Sequence, residues 1–381
     1  MSVGIPGFAD TLTAWRRHLH AHPELSNQES GTAAFVCARL AELGVPFTAG
    51  VGGHGVVATI RRGNSNRSVG LRADMDALPI TEATGLPYAS RKPGVMHACG
   101  HDGHATSLLG AAALLASDTD WTGTVHLVFQ PAEEGGGGAK AMIADGLFAR
   151  FPMERIFGYH NWPGLEAGTV QVHHGPVMAA GARLEFRVRG RSGHAAIPHQ
   201  ARDPMIASAH LLIALQSVVS RETSPLDAVV VSICTMQAGS AANQIPDEAV
   251  MRGTMRSLRA EVRDATEAAV RRIAAGVAQT FGVEIEIAVR HGNLLTANTG
   301  PEDDLAAQAA AGAGLAVRRD MAPAMTGEDF SWYLAEKPGA FVWIGNGPTA
   351  ELHNAGYDYN DAILPVAATY LANVAKRALA G

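Results

Sequence analysis

Near Arg183 the order of apolar runs along the chain changes. From there the spacing predicts a strand at Leu184–Val188, a helix at Pro204–Glu222, strands at Ala228–Met236 and Glu248–Met255, a helix at Glu261–Phe281 and a strand at Val283–Val289. That order, β-α-β-β-α-β, is the ferredoxin-like split unit and can stand as a domain of its own. On either side the pattern is a different one. Upstream it predicts helices over Phe8–His20 and Glu29–Leu43, strands at Val56–Ile60 and Val69–Ala73, a loop around Met96–His104, an apolar helix at Ser107–Ser117 and a strand at Thr124–Gln130. Pro23 and Gly44 supply helix stops. After Gly292 a helix from Glu302, a strand at Phe341–Ile344 and a helix over Ile363–Ala380 resume the alternation, so the fold class is α/β with a smaller domain inserted into a larger one. The expected division is 1–180, 181–292 and 293–381, and 381 residues are indeed too many for one ordinary core.

Composition narrows the functional classes. Thirty Lys+Arg against 36 Asp+Glu give a net charge of −6 with no block of like charge, which argues against a nucleic-acid partner. With 47% hydrophobic and 17% charged residues the chain is globular rather than disordered. The longest apolar stretch, around Leu108–Ala116, falls short of the ~20 residues of a membrane span. Arg16 and Arg17 are followed by no apolar run of the kind a signal peptide carries. The three widely spaced cysteines, Cys37, Cys99 and Cys234, suit a reducing compartment, so a cytoplasmic location is expected.

Sixteen histidines are many for this length, and their placement carries the chemistry. His97, Cys99, His101 and His104 fall within eight residues, ahead of an apolar helix whose N-terminal dipole favours a thiolate. Thiolate and imidazole together make a soft-to-borderline metal site, whereas a lone histidine or cysteine would be read as an ordinary polar loop. Gln130-Pro131-Ala132-Glu133-Glu134-Gly135 ends a strand, where open α/β sheets place their ligands. Two adjacent carboxylates there point apart, so one can ligate while the other acts on a water; alone they would be as well explained by a solvated turn. Asp74 and Asp76 share a face at strand period, and one carboxylate there can orient a ligating imidazole. His160 and His353 sit in polar contexts and would each be unremarkable alone.

Taken in order, Cys99-Gly100-His101-Asp102-Gly103-His104, Pro131-Ala132-Glu133-Glu134, His160-Asn161-Trp162-Pro163-Gly164, Gly193-His194-Ala195-Ala196 and Gly327-Glu328-Asp329-Phe330 resemble the amidohydrolase branch of the aminoacylase-type metallopeptidases. That branch includes hippurate hydrolases, N-acetyldiaminopimelate deacetylases and hydrolases of auxin–amino-acid conjugates. The resemblance implies a zinc-peptidase-like α/β domain interrupted by a ferredoxin-like lid that mediates dimers. It implies two divalent metal ions per subunit, held by Cys99, His101, Glu134, His160 and His353, with Cys99 where related peptidases carry a bridging carboxylate. Zinc suits the sulfur and imidazole donors, and manganese, cobalt or nickel remain open. Glu133 matches the catalytic base and Asp76 the carboxylate that orients a ligating histidine. Asp74 stands where the wider clan usually has a histidine ligand, which leaves metal occupancy open. His194 matches a lid histidine that contacts the substrate carbonyl, usually in the partner subunit's site. Asn243 and Arg256 match positions that bind the substrate's carboxylate.

The expected reaction is hydrolysis of the amide of a small-molecule N-acyl-L-amino acid to carboxylic acid and free amino acid, by a homodimer, with a tetramer also open. A dipeptidase or carboxypeptidase of the same clan is the nearest rival, but no acidic anchor for a free amine is visible. A metal-binding protein without catalysis has no need of Glu133 beside Glu134. A thiol enzyme with Cys99 as nucleophile needs that thiol free of metal.

Overall fold

The computed structural model describes residues 7–380, in two compact units. The larger comprises the chain up to Val177, Ala297–Ala322 and the stretch from Asp329 onward; the smaller comprises Met178–Thr296 and Pro323–Glu328. The crossings fall a few residues from the expected 180/181 and 292/293, and the short return of the chain at Pro323–Glu328 is invisible in the sequence pattern.

In the larger unit an eight-stranded sheet runs, edge to edge, Phe47–Val51, Gly55–Arg62, Gly123–Gln130, Ser68–Asp74, Arg155–Pro163, Gly339–Gly347, Thr169–Gln171, Ala316–Arg318. The four strands from Gly123–Gln130 to Gly339–Gly347 are mutually parallel. Parallel strands are buried on both faces, and these read as nearly unbroken apolar runs. Helices Phe8–Ala21, His101–Ser117 and Leu364–Ala380 pack on one another, and the last two also lie against the sheet, burying Leu12, Leu108, Leu109, Val125, Leu127, Tyr370 and Leu371.

Two differences from expectation bear on the site. The helix expected at Ser107 begins at His101, so the last two histidines of the expected loop, His101 and His104, fall in its first turn. Gly100 makes this possible: its left-handed φ of 90° turns the chain into the helix, and a Cβ there would stand 2.2 Å from Asn161 Oδ1. The strand Arg155–Pro163 was not expected at all, since Tyr159, His160 and Asn161 break its apolar character. It lies buried in mid-sheet, and its polar side chains belong to the site described below.

The smaller unit is an antiparallel sheet in the order Val229–Ala238, Glu248–Ser257, Ala180–Arg189, Glu284–His291. Helices Pro204–Ser217 and Ala260–Phe281 complete the β-α-β-β-α-β order and bury Leu184, Phe186, Leu211, Leu215, Met251, Met255 and Val270. Asp203 caps the first helix by accepting a hydrogen bond from Met205 N at 2.8 Å, with Pro204 in the first turn. No helix among the described residues is long and apolar enough to cross a membrane.

Candidate metal centre

The carboxyl ends of the parallel strands deliver the candidate residues of the larger unit to one place, as expected of an open α/β sheet. Asp74 ends one strand and Asp76 follows it; Gln130 ends the next, and Glu133 and Glu134 follow; His160 lies near the end of a third. Cys99 and His101 flank Gly100 at the start of their helix. His353 hangs from the loop after Gly347, fixed by its amide donating to Ala98 O at 2.8 Å. The non-glycine residues with left-handed φ among the described ones are Asn27, Ala132 and His353; Ala132 directly precedes Glu133, and His353 is itself a candidate donor.

Donor atoms of Cys99, His101 and His160 lie within 4.8 Å of one another, and so do those of Cys99, Glu134 and His353. Cys99 Sγ belongs to both sets and approaches His160 Nε2 at 3.4 Å. Such spacings are what donors at about 2.0–2.3 Å from an ion require. The environment also calls for positive charge. His101 Nε2 and Glu134 Oε1 are buried without a hydrogen-bond partner, 3.9 Å apart, and His353 Nε2 stands 3.2 Å from the same oxygen. Burial, reinforced by the Glu134 carboxylate, pushes the Cys99 thiol up, so a thiolate here needs a cation beside it. Burial, with His104 alongside, pushes His160 well down and keeps it neutral, as a ligand must be. The residues therefore fit divalent cations.

Around the donors each buried charge has a partner. Asp76 Oδ1 lies 3.2 Å from His101 Nδ1, which points Nε2 at the other donors, and Asp76 also accepts from Ser26 Oγ at 2.6 Å. The same carboxylate accepts the main-chain amides of Glu133 at 3.1 Å and Glu134 at 3.0 Å, a link the sequence does not announce. Asp74 is differently engaged: Arg72 Nη1 donates to one oxygen at 2.7 Å, and His104 Nδ1 lies 2.6 Å from the other. His104 Nε2 is bonded in turn to Asn161 Oδ1 at 2.7 Å. Asp74 thus sits in an ion-paired network, and its donor atoms also lie within 4.8 Å of those of His101 and His104.

Asp329 and Asp102 stand in the quoted motifs, but the motifs do not show their partners. Asp329 accepts from Arg72 Nη2 at 2.8 Å, from Gln130 Nε2 and from the amide of Ala139, while its own amide donates to Glu133 Oε1 at 3.2 Å. Asp102, next to His101, accepts from fully buried Arg16 at 2.8 Å and faces His20 Nδ1 at 2.8 Å. Burial alone would lower the His20 pKa, but the bonds to Asp102 and Glu82 prevail and raise it to about 9.

His194, Asn243 and Arg256 belong to the smaller unit. His194 is exposed on a two-residue strand paired with Gln244–Ile245, and the Ala195 amide donates to Asn243 O at 3.0 Å. Arg256 is half-buried on the strand Glu248–Ser257.

Fold and donor set together define the site of a metal-dependent hydrolase, with divalent cations as its cofactor. The model of peptidase family M20/M25/M40 matches residues 70–377. The chain is 42% identical to a hippurate hydrolase of Campylobacter jejuni over 96% of its own length and 95% of the relative's. It is 39% identical to an N-acetyl-L-cysteine deacetylase of Bacillus subtilis, covering 99% and 90% respectively. A crystal structure of a dinuclear metal-binding M20 peptidase from Bacillus subtilis superposes with a TM-score of 0.87 at 36% identity, over 98% of this chain and 99% of that one. The chain belongs to peptidase family M20/M25/M40.

Proposed function

We propose that this protein hydrolyses the amide bond of N-acyl-L-amino acids, releasing a carboxylic acid and the free amino acid. The observation that carries the reading is the pairing of a cation-seeking donor set with one more carboxylate, Glu133, aimed at it from the adjacent position. Cys99, His101, Glu134, His160 and His353 would hold two divalent ions, zinc, manganese, cobalt or nickel. When bound, the ions supply positive charge that acidifies a water and polarises a carbonyl.

The chain's own residues do the rest. Glu133 takes the proton of the attacking water and later hands it to the departing amine. Its carboxylate is held for this by the Asp329 amide, and its backbone by Asp76. His194 donates to the oxyanion that forms at the carbonyl, a kind of contact worth about 100-fold or more in rate. Asn243 and Arg256 take the substrate's free carboxylate, for which a planar guanidinium is the suited partner. The test is release of amino acid from a panel of N-acetyl, N-benzoyl and indoleacetyl amino acids and their carboxamides. The acids are expected to turn over at least about tenfold more efficiently than the carboxamides, the difference of one charge-assisted contact. Equal turnover would remove Arg256 from carboxylate recognition, and turnover of free dipeptides alone would favour the dipeptidase reading.

We further infer a homodimer formed through the smaller unit. Its sheet ends in the exposed edge strand Val229–Ala238, and the helix Pro204–Ser217 shows Met205, Ile206 and Ile213 to solvent, the last 67% exposed. Unprotected edges and apolar faces are where chains associate. Light scattering is expected to give twice the chain mass, and Ile213→Glu to shift it toward the monomer; a monomeric wild-type protein would end this reading. Cys37, Cys99 and Cys234 are all free thiols, which supports a cytoplasmic setting, and fractionation of cells would test it.

A further inference from the structure

One face of the smaller unit's sheet packs on its helices; the other carries Gly181, Arg183, Glu185, Arg187 and Arg189 from one strand and Glu248, Arg252, Thr254 and Arg256 from its neighbour. The charges on this second face are sorted. Arg187, Arg189 and Arg252 are bridged to Glu185, Glu248 or Glu286 at 2.7–3.4 Å. Arg256 has no hydrogen-bond or carboxylate partner among the described residues, although it is half-buried and Arg183 adds a like charge nearby. A guanidinium left in that condition is costly unless an anion arrives.

Two glycines border the Arg256 side chain. A Cβ at Gly181, the residue opposite Arg256 in the ladder, would stand 2.4 Å from Nη1 and 3.0 Å from Cζ; one at Gly327 would stand 2.9 Å from Nη1. Neither glycine has a positive φ, so neither is needed for its backbone conformation. What each provides is room for the guanidinium. The amide nitrogen of Asn293 lies 3.7 Å from the Gly327 Cβ position, and its side chain has no hydrogen-bond partner among the described residues. Asn293 is held there by its carbonyl, which accepts from Gly181 N at 3.1 Å.

We propose that Gly181, Gly327 and Asn293 complete an anion cradle around Arg256, in which the guanidinium and the Asn293 amide share the free carboxylate of the N-acyl amino acid. The proposal rests on the assignment of Arg256 to that carboxylate. The two glycines leave room for the guanidinium, and Asn293 adds a neutral donor that brings no further repulsion beside Arg183.

The experiment compares Arg256→Ala, Gly181→Ala and Asn293→Asp on the best N-acyl amino acid of the panel and on its carboxamide, with thermal midpoints as a check of folding. Asn293→Asp keeps the side-chain size and sets a carboxylate beside Arg256 in competition with the substrate. Both it and Gly181→Ala are expected to raise KM for the acid about tenfold or more with kcat within about twofold, and to shrink the preference for acid over carboxamide by a similar factor. A fall in kcat at constant KM, or an equal loss on acid and carboxamide, overturns the proposal. If Arg256→Ala retains the acid preference, the Arg256 assignment itself is wrong and the cradle falls with it. If Arg256→Ala abolishes the preference and the other two variants keep it, the cradle alone is wrong.

Discussion

Replacing Glu133 by Gln is expected to lower kcat by about 10²–10⁴-fold while leaving the content of divalent metal unchanged. The substitution is isosteric, so it opens no cavity, and an amide can still accept the Asp329 N–H that holds the Glu133 side chain at 3.2 Å. What it loses is the capacity to take a proton from water and return it to the amine. Steady-state amino-acid release, read beside metal analysis of the same sample, checks both halves. Unaltered turnover would take Glu133 out of the chemistry. Loss of metal with the activity would instead make Glu133 a ligand and return the base to another group.

The second large effect is expected from Cys99. Its sulfur belongs to both donor sets, so Cys99→Ala removes one donor from each and is expected to weaken metal binding more than about 100-fold, beyond the range seen when only a ligand's supporting partner is lost. Activity should fall with metal content, a chelator should abolish turnover of the wild type, and added zinc or manganese should restore it. A thiol enzyme predicts another pattern: Cys99→Ala inactive with its metal intact, and a chelator without effect. The burial of Cys99 beside Glu134 already disfavours that pattern, because it raises the thiol pKa where a nucleophile needs it lowered.

The Asp74 network shows where sequence reasoning stops. From spacing alone Asp74 and Asp76 were equivalent carboxylates on one strand face. In the fold Asp76 bonds His101 Nδ1 and the Glu133–Glu134 backbone, whereas Asp74 bonds Arg72 and His104 and stands 3.7 Å from His101 Nε2. A one-dimensional pattern records which residues share a face, but not which of them a distant group will neutralise. For the same reason the strand Arg155–Pro163 went unseen: its Tyr159, His160 and Asn161 serve the site and erase the apolar run that a central strand otherwise shows.

The sequence by itself determined the order of elements, the inserted β-α-β-β-α-β unit, the family resemblance and the residue types of the metal centre, because periodicity and short motifs are local properties of the chain. Only the tertiary structure decided the partners of the buried charges: Asp102 with Arg16, Asp329 with Arg72, and the bare guanidinium of Arg256 beside Gly181, Gly327 and Asn293. Those residues lie far apart along the chain. A charge taken out of water must find its partner wherever packing brings one, and for Arg256 packing brings two glycines and no carboxylate among the described residues.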